Sequence, residues 1–381
     1  IFGILISIYI TNIYIKIILF LIIFILSLYF SKIYKIKFPR YLIIFTFIGY
    51  FLVLLNSTSY YINEKDTVNI IGYDKYKFKV STTHINNKSK NLNILVYNDT
   101  LSNIKLGSKI SVDGKIYYPN KKSNPNAYNE ELNFKIDKIN YKLYANNIKI
   151  LKHNKFKVYL SNLKDNICNI YDEILPQTES NILKAMLLFV ENSSLSIILQ
   201  FLDDETVDLY RTSGIYHILA ISGLHIGILA LFLTKIFKLI HRRFGYIFVI
   251  IILIFYCIFT GSSLSTIRAT IMSSTVLLAY ILFRNPDFIS SISLSAIILL
   301  IVNPYYLFDI GFLYSYISVF SIAFLGGRIC DIYKLKGIFN AFVVSFFVCL
   351  SIKPITAYYF YNFNTIDIFL NIIIIPFMSI V

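Results

Sequence analysis

Hydrophobic and polar positions vary along this chain on two different scales. Residues Ile1 to Phe30 are almost wholly apolar, broken most clearly by Thr11, Asn12 and Lys16, and fit either one long span or a shortened helix followed by a second. A polar hinge with Lys32, Lys35, Lys37, Pro39 and Arg40 follows. Tyr41 to Leu55 then form another apolar run, short against the roughly 20 residues expected of a membrane span. From Asn56 to about Lys155 the long blocks give way to short alternating runs such as Tyr76 to Val80, Asn93 to Tyr97 and Lys109 to Asp113. These period-two runs, punctuated by Gly, Asn, Asp and Ser, predict strands and turns. Several of them in about a hundred residues predict a small β-barrel or sandwich, with an OB-like barrel as one option.

The period changes again after the β region. Phe156 to Leu175 and Glu179 to Tyr210 set apolar residues among polar ones, with Tyr159, Leu163, Ile167, Ile170 and Ile174 at helical spacing. That is the pattern of amphipathic helices lying on a membrane or on a bundle. Apolar blocks then run from Ile215 to Ile240, Tyr246 to Phe259, Leu264 to Phe283, Ser290 to Val302, Ile310 to Gly327, Ile338 to Tyr361 and Ile366 to Val381. Several are shorter than about 20 residues, which leaves room for re-entrant or tilted segments. The expected architecture is a membrane α-helical bundle with an inserted, extracytoplasmic small β-barrel (OB-like) domain. Its divisions are N-terminal transmembrane helices at 1–55, the β domain at 56–155, juxtamembrane amphipathic helices at 156–211 and a polytopic membrane domain at 212–381. Lys235, Lys238, Arg242 and Arg243, then Arg284, then Arg328, Lys334 and Lys336 fall in alternate connections. The positive-inside rule puts these connections and the Lys32 to Arg40 hinge in the cytoplasm, and the β domain on the other side of the cytoplasmic (inner) membrane.

Composition sharpens this picture. Of 381 residues, 56% are hydrophobic and 15% charged, against about 45–50% and about 25% in soluble domains, so a soluble reading of the whole chain is excluded. The net charge of +15 suits an anionic partner such as nucleic acid, but the Ile, Asn, Lys, Tyr and Phe bias of an AT-rich genome produces the same excess. Cys168, Cys257, Cys330 and Cys349 are too scattered for a disulfide framework. Ile1 in place of an initiating Met, and Val381 inside an apolar run, read as the ends of a piece of a longer chain. The chain shows no Gly-x-Ser-x-Gly elbow, Walker A loop, His-rich metal cluster or set of clustered carboxylates. Neither catalysis nor a metal or cofactor is therefore expected.

Two clusters carry candidate chemistry. Tyr216 to Gly227 sets His217 and His225 around a Ser222-Gly223 step in an apolar block. Ionisable groups at membrane depth are costly and turn toward a cavity or a partner, and Gly223 permits close backbone approach or a helix break. A broken helix at Ser222-Gly223 is the expectation. On a continuous helix the two histidines would stand about 80° apart, a poor match to a same-face zinc pair, so interhelical hydrogen bonds are the favoured alternative to a metal. In the second cluster, Thr260 to Thr270, a hydroxyl-rich turn with Gly261 and Ser263 leads into a helix that carries Arg268. A guanidinium there meets phosphate geometry, pairs with an intramembrane carboxylate such as Asp309, or snorkels to the headgroups.

His217 to His225 reads His-Ile-Leu-Ala-Ile-Ser-Gly-Leu-His and closely resembles the signature of the ComEC family of bacterial competence DNA-uptake channels. The resemblance continues through Gly261 to Met272, Asn303-Pro304, Asp309-Ile310-Gly311-Phe312, Pro354, Asn371 and Pro376. Asn124 to Asn129 is similar to the family's Asn-Pro-Gly-x-Phe-Asp turn, with Asn126 and Asn129 as departures. Leu313 and Tyr314 depart where the family has Gln and Leu.

The resemblance implies a channel that takes single-stranded DNA into the cytoplasm, with His217, Ser222, Gly223, His225, Gly261, Ser263, Arg268 and Asp309 along its pathway. Single-stranded DNA, membrane lipids and other competence machinery (a DNA receptor, a cytoplasmic helicase or motor) are the implied partners, with homo-oligomerisation left open. Many members also carry a metallo-β-lactamase-like domain, whose His-x-His-x-Asp-His cluster does not occur among the five histidines here. A strand-binding β domain needs cations interleaved with aromatic faces, and Lys77, Lys79, Tyr97, Tyr117 and Tyr118 are the candidates. The rival readings are a permease for a small solute or ion and a membrane-anchored DNA-binding receptor.

Overall fold

The computed structural model describes residues 1, 4, 5, 8, 46, 48–54, 56, 67–76, 79–85, 88, 89, 92–97, 108–120, 124, 129–152, 154–187, 223–237, 242–360 and 369. Lys77, His217 and Ser222 lie outside the described residues, as does the side chain of Lys79.

The alternating runs form six strands: β1 (Thr67–Tyr76), β2 (Lys79–Ile85), β3 (Lys88–Ser89), β4 (Asn93–Tyr97), β5 (Lys109–Tyr117) and β6 (Tyr141–Lys152). The sheet runs β1-β5-β6-β4-β2-β3, and β1 also pairs with β2, so the order of neighbours curls back to its first strand. The β4–β6 pair is parallel and the others are antiparallel. The period-two pattern explains the interior: Ile94 and Val96 of β4, Ile110, Val112 and Ile116 of β5, and Ile70, Val80 and Leu143 point into one apolar cluster. Burying each such side chain stabilises by about 1.5–3 kcal/mol.

A short helix, α1 (Glu130–Ile136), connects β5 to β6. Asn129 caps it by accepting from Leu132 N at 3.0 Å, a role Asn fills as well as Asp. Glu130 in its first turn accepts from Lys142 Nζ and from Asn120 N, each at 2.7 Å, which ties the helix to the sheet. Its apolar residue Ile136 joins a second cluster with Tyr305, Ile4 and Val53.

Two amphipathic helices follow, α2 (Lys155–Ile174) and α3 (Gln177–Leu187). Asp172 of α2 accepts from Lys184 Nζ, and from Ser180 Oγ at 2.8 Å. Those hydrogen bonds, the lysine's first, hold the Asp172 carboxyl below its ordinary value of 3.8. A carboxyl lowered in the fold stabilises fully above the unfolded value and loses that contribution as pH falls through the folded one. Corrected hydrogen exchange across α3 is therefore expected to be flat with pH down to the carboxylate range and to accelerate below it. Asp172→Asn should remove the acid step and leave α3 faster throughout.

The remaining described helices are α4 (Gly223–Phe237), α5 (Arg242–Phe259), α6 (Leu264–Ile281), α7 (Phe288–Val302), a 3-10 turn at Pro304–Phe308, α8 (Ile310–Ser321), a π-helical stretch at Ile322–Gly326, α9 (Gly327–Ile332) and α10 (Gly337–Phe360). Leu264–Ile281, Ile310–Ile332 and Gly337–Tyr359 are long and apolar enough to cross a membrane, while His225–Phe237, Arg243–Phe259 and Phe288–Val302 are shorter apolar helices. Phe244, Ile251 and Phe255 of α5 and Ile338, Phe339 and Leu350 of α10 stand exposed, as suits a surface solvated by hydrocarbon. Helix α6 packs against α4, α5, α7 and α8. The π-helical stretch brings Gly326 so close to α10 that a Cβ would stand 2.9 Å from Val344 Cα. Chain order places Lys235, Arg242, Arg243, Arg284, Lys334 and Lys336 at one end of the bundle, and the starts of α6 and α8 at the other. The β domain docks at that second end, where α1 meets the Pro304–Phe308 turn.

Candidate functional site

The Thr260 to Ser263 turn is built by helix ends. Gly261 has φ 91° and Ser262 φ 57°, left-handed values that close α5: Ser262 N donates to Cys257 O at 2.9 Å and Gly261 N to Ile258 O at 3.2 Å. Ser263 caps α6, accepting from Thr266 N at 3.3 Å and donating to Thr266 Oγ1 at 3.1 Å. The hydroxyls of this turn are thus engaged in shaping it, and their effect is to fix where α6 starts.

One turn inside α6 lies Arg268, with 4% of its surface exposed. Its guanidinium carbon stands 5.5 Å from the centroid of the Tyr316 ring, within cation–π range. Among the described residues it has no hydrogen-bond or ion-pair acceptor; Asp309 acts on it only through its field. The Asp309 carboxylate is instead engaged as the N-cap of α8, accepting from Phe312 N at 2.7 Å. Tyr316 is held in turn by its hydroxyl against Ser295 Oγ at 2.8 Å and by Phe312, whose ring centroid lies 4.4 Å away. A buried guanidinium with donors unmet is costly, and the fork is preorganised for a planar or tetrahedral oxyanion.

Gly223, the first described residue of α4, meets Arg268 directly. A Cβ at Gly223 would lie 3.6 Å from Ala269 Cβ and 4.0 Å from Arg268 Nη2. The structure therefore brings Gly223, Arg268, Tyr316 and the field of Asp309 together at the end of the bundle that carries the β domain. His225 is half-buried on the first turn of α4. Thr270 Oγ1 and Ser274 Oγ, further along α6, are buried without a hydrogen-bond partner among the described residues. Tyr316 escaped sequence reading, although Asp309, Phe312 and Tyr316 at i, i+3 and i+7 share one helix face.

The tyrosines of the β domain separate into two groups. Tyr97 (39% exposed) stacks on Tyr144 (50% exposed) with centroids 5.2 Å apart and planes 19° apart, and Tyr117 meets Tyr144 edge-on at 5.3 Å. The stack follows from register: Tyr97 is opposite Tyr144 in the parallel β4–β6 pair, and exposed Lys115 is opposite Tyr144 from β5. Lys79 pairs through its backbone with Leu95, two residues before Tyr97. Tyr118 is placed elsewhere, edge-on to buried Tyr141 and packed against the core. Tyr144 and Lys115 share the outer face because each alternates with buried neighbours, Leu143 in β6 and Gly114 and Ile116 in β5; beyond them β6 is kinked, since Asp113 pairs with Asn147 but Gly114 with Ala145, leaving Asn146 as an extra residue.

Three described helices long and apolar enough to cross a bilayer, a buried arginine and a small curled sheet are compatible with the class of helical membrane proteins that carry a β domain. The sequence profile of the Competence protein family matches residues 199–381. The chain is also 30% identical over 281 residues to ComE operon protein 3 of Bacillus subtilis (strain 168), an alignment that covers 72% of this chain and 35% of that protein. The chain belongs to the ComEC family of competence proteins. It spans about a third of the length of that relative. No solved structure matches it.

Proposed function

We propose that this chain is part of an inner-membrane channel that passes single-stranded DNA into the cytoplasm. Its pathway begins at Arg268, and its β domain is an OB-like barrel outside the cytoplasm that binds the strand before import. The observation that carries the reading is the buried Arg268 fork without a described acceptor, because a translocating phosphate supplies the missing oxyanion. The docking of the β domain opposite the Lys- and Arg-bearing end supports its placement outside. Strand pairings of 1-2, 2-4, 4-6, 6-5 and 5-1 support the barrel. The Tyr97, Tyr144 and Tyr117 shelf with Lys115 offers sequence-tolerant base stacking beside a phosphate contact. The chain acts without catalysis of its own, alongside a DNA receptor and a cytoplasmic motor.

The test is to delete the gene in a host that takes up DNA and to score surface binding and import separately. Import is expected to vanish while surface binding to the receptor persists; unchanged import would overturn the reading. The shelf is tested by titrating a labelled oligonucleotide into the full-length protein in nanodiscs. Tyr144→Ala is expected to weaken single-strand binding about tenfold, from a stacking contribution of about 1–3 kcal/mol per base, while Tyr118→Ala leaves it near the parent value.

A further inference from the structure

One seven-residue strap, Asn303 to Asp309, touches the β domain at its first residue and lies beside the arginine site at its last. Asn303 is 1% exposed. Its Nδ2 donates to both Lys135 O and Ile136 O, each at 2.9 Å, and these carbonyls close the last turn of α1 in the β domain. Its Oδ1 accepts from Tyr305 N at 3.1 Å, which starts the 3-10 turn. The single amide side chain therefore uses both its functions, one on each side of the seam. Helix ends leave carbonyls without intrahelical donors, so a buried amide that supplies them is a specific joint between two bodies rather than general packing. The joint is reinforced around it: Lys135 Nζ stands 5.7 Å from the Tyr305 ring centroid, and Ile136 packs with Tyr305. Pro304, buried, stiffens the first step of the turn. At the far end Asp309 N donates to Tyr306 O at 3.0 Å, and the Asp309 carboxylate caps α8, the helix that carries Tyr316 beneath Arg268.

We propose that Asn303 is a positioning residue that locks the β domain to the membrane bundle, so that the strand bound outside is presented to Arg268 by a fixed cap rather than by a loosely tethered collector. The functional half of this inference rests on the DNA-import reading above; the structural half does not. The geometry separates the two roles of Asn303 cleanly. Asn303→Asp keeps an oxygen for Tyr305 N but removes the donors to α1 and sets a carboxylate against two carbonyls.

The experiment uses the full-length protein, with hydrogen exchange in nanodiscs beside uptake in cells. Asn303→Asp is expected to speed exchange at residues 134–137 about tenfold while Tyr305 N stays protected, since a lost buried hydrogen bond loosens only what it held. Import is expected to fall about tenfold with surface binding and protein level unchanged, by the same loss. A merely structural role would lower protein level and every readout together. If that variant does not accumulate, Lys135→Ala, which removes the cation over Tyr305 together with the Glu131 ion pair, is compared with Glu131→Gln, which removes the ion pair alone, and the difference decides the matter through the same exchange and import pattern in weaker form. Unchanged exchange at 134–137, or faster exchange with import intact, overturns the proposal. Arg268→Met in the same assay tells the two readings apart: if it leaves import intact, the import reading falls, while the exchange data still judge the seam.

Discussion

Replacing Arg268 with methionine is expected to raise the thermal stability of the full-length protein while abolishing DNA import. The two signs follow from one fact. Arg268 is 4% exposed as a residue and has no acceptor among the described residues, so the folded protein carries its desolvation without a compensating ion pair from them. Methionine fills similar volume, keeps contact with the Tyr316 ring and removes the buried charge, a change that is neutral to stabilising by about 1–4 kcal/mol for buried ionic groups. Import, in contrast, loses a charge-assisted contact of about 1.5–3 kcal/mol, and the pathway loses its anion attraction at the outer end. Arg268→Lys should recover part of the import, because a point charge attracts phosphate without the planar fork. Thermal unfolding monitored in nanodiscs and import scored in cells check both halves. Lower stability in Arg268→Met would mean that the side chain is satisfied in the folded state, and the pathway reading would lose its main support.

Gly114→Ala should unfold or severely loosen the β domain. A Cβ at that position would stand 2.3 Å from Tyr144 O and 2.9 Å from Leu143 Cδ2. Backbone oxygen cannot yield as a side chain can, so the β5–β6 pairing must shift where Asn146 is already the extra residue. The cost is about 3 kcal/mol or more, a large share of the stability of a small domain. The same shift moves Tyr144 away from Tyr97, so single-strand binding should fall with stability. Gly227→Ala is the matched control: nothing lies within 4 Å of its Cβ, and an interior helical position gains about 1 kcal/mol or less from alanine. Hydrogen exchange at β5 and β6 for the first, and at α4 for the second, measures the contrast. Equal effects would show that close approach at Gly114 relaxes without breaking the sheet.

Particular residues show why some of the site could be read from the chain and some could not. Arg268 stood out because an ionisable group in an apolar helix is rare whatever it contacts. Gly223 stood out for the same kind of reason, as a small residue where bulk is usual, and in the structure a Cβ there would stand 4.0 Å from Arg268 Nη2. Ser263 and Gly261 also stood out, but a polar turn looks the same whether its hydroxyls face a pathway or close helix ends; here they close α5 and α6. Tyr118 carried the same aromatic signal as Tyr117, but it follows the last residue of β5, where the chain turns its ring back to pack against the core. Lys142 is a strand lysine like Lys115, yet it is buried against Glu130, while Lys115 stands exposed opposite Tyr144.

Period and composition alone determined that long apolar helices and a small β domain share this chain, because hydrophobic burial, whether in lipid or in a sheet interior, imposes its repeat on the sequence. They also determined which end of each apolar block carries its cations. Tertiary structure alone decided what meets what. The parallel register of β4 and β6 set Tyr144 against Tyr97 on the tyrosine shelf, the packing of α8 slid Tyr316 under Arg268, and Asn303 reached α1 across 168 positions of chain. Pairings at such separation depend on strand register and helix rotation summed over the whole fold, and a one-residue difference in either would have sent the same side chains to other partners.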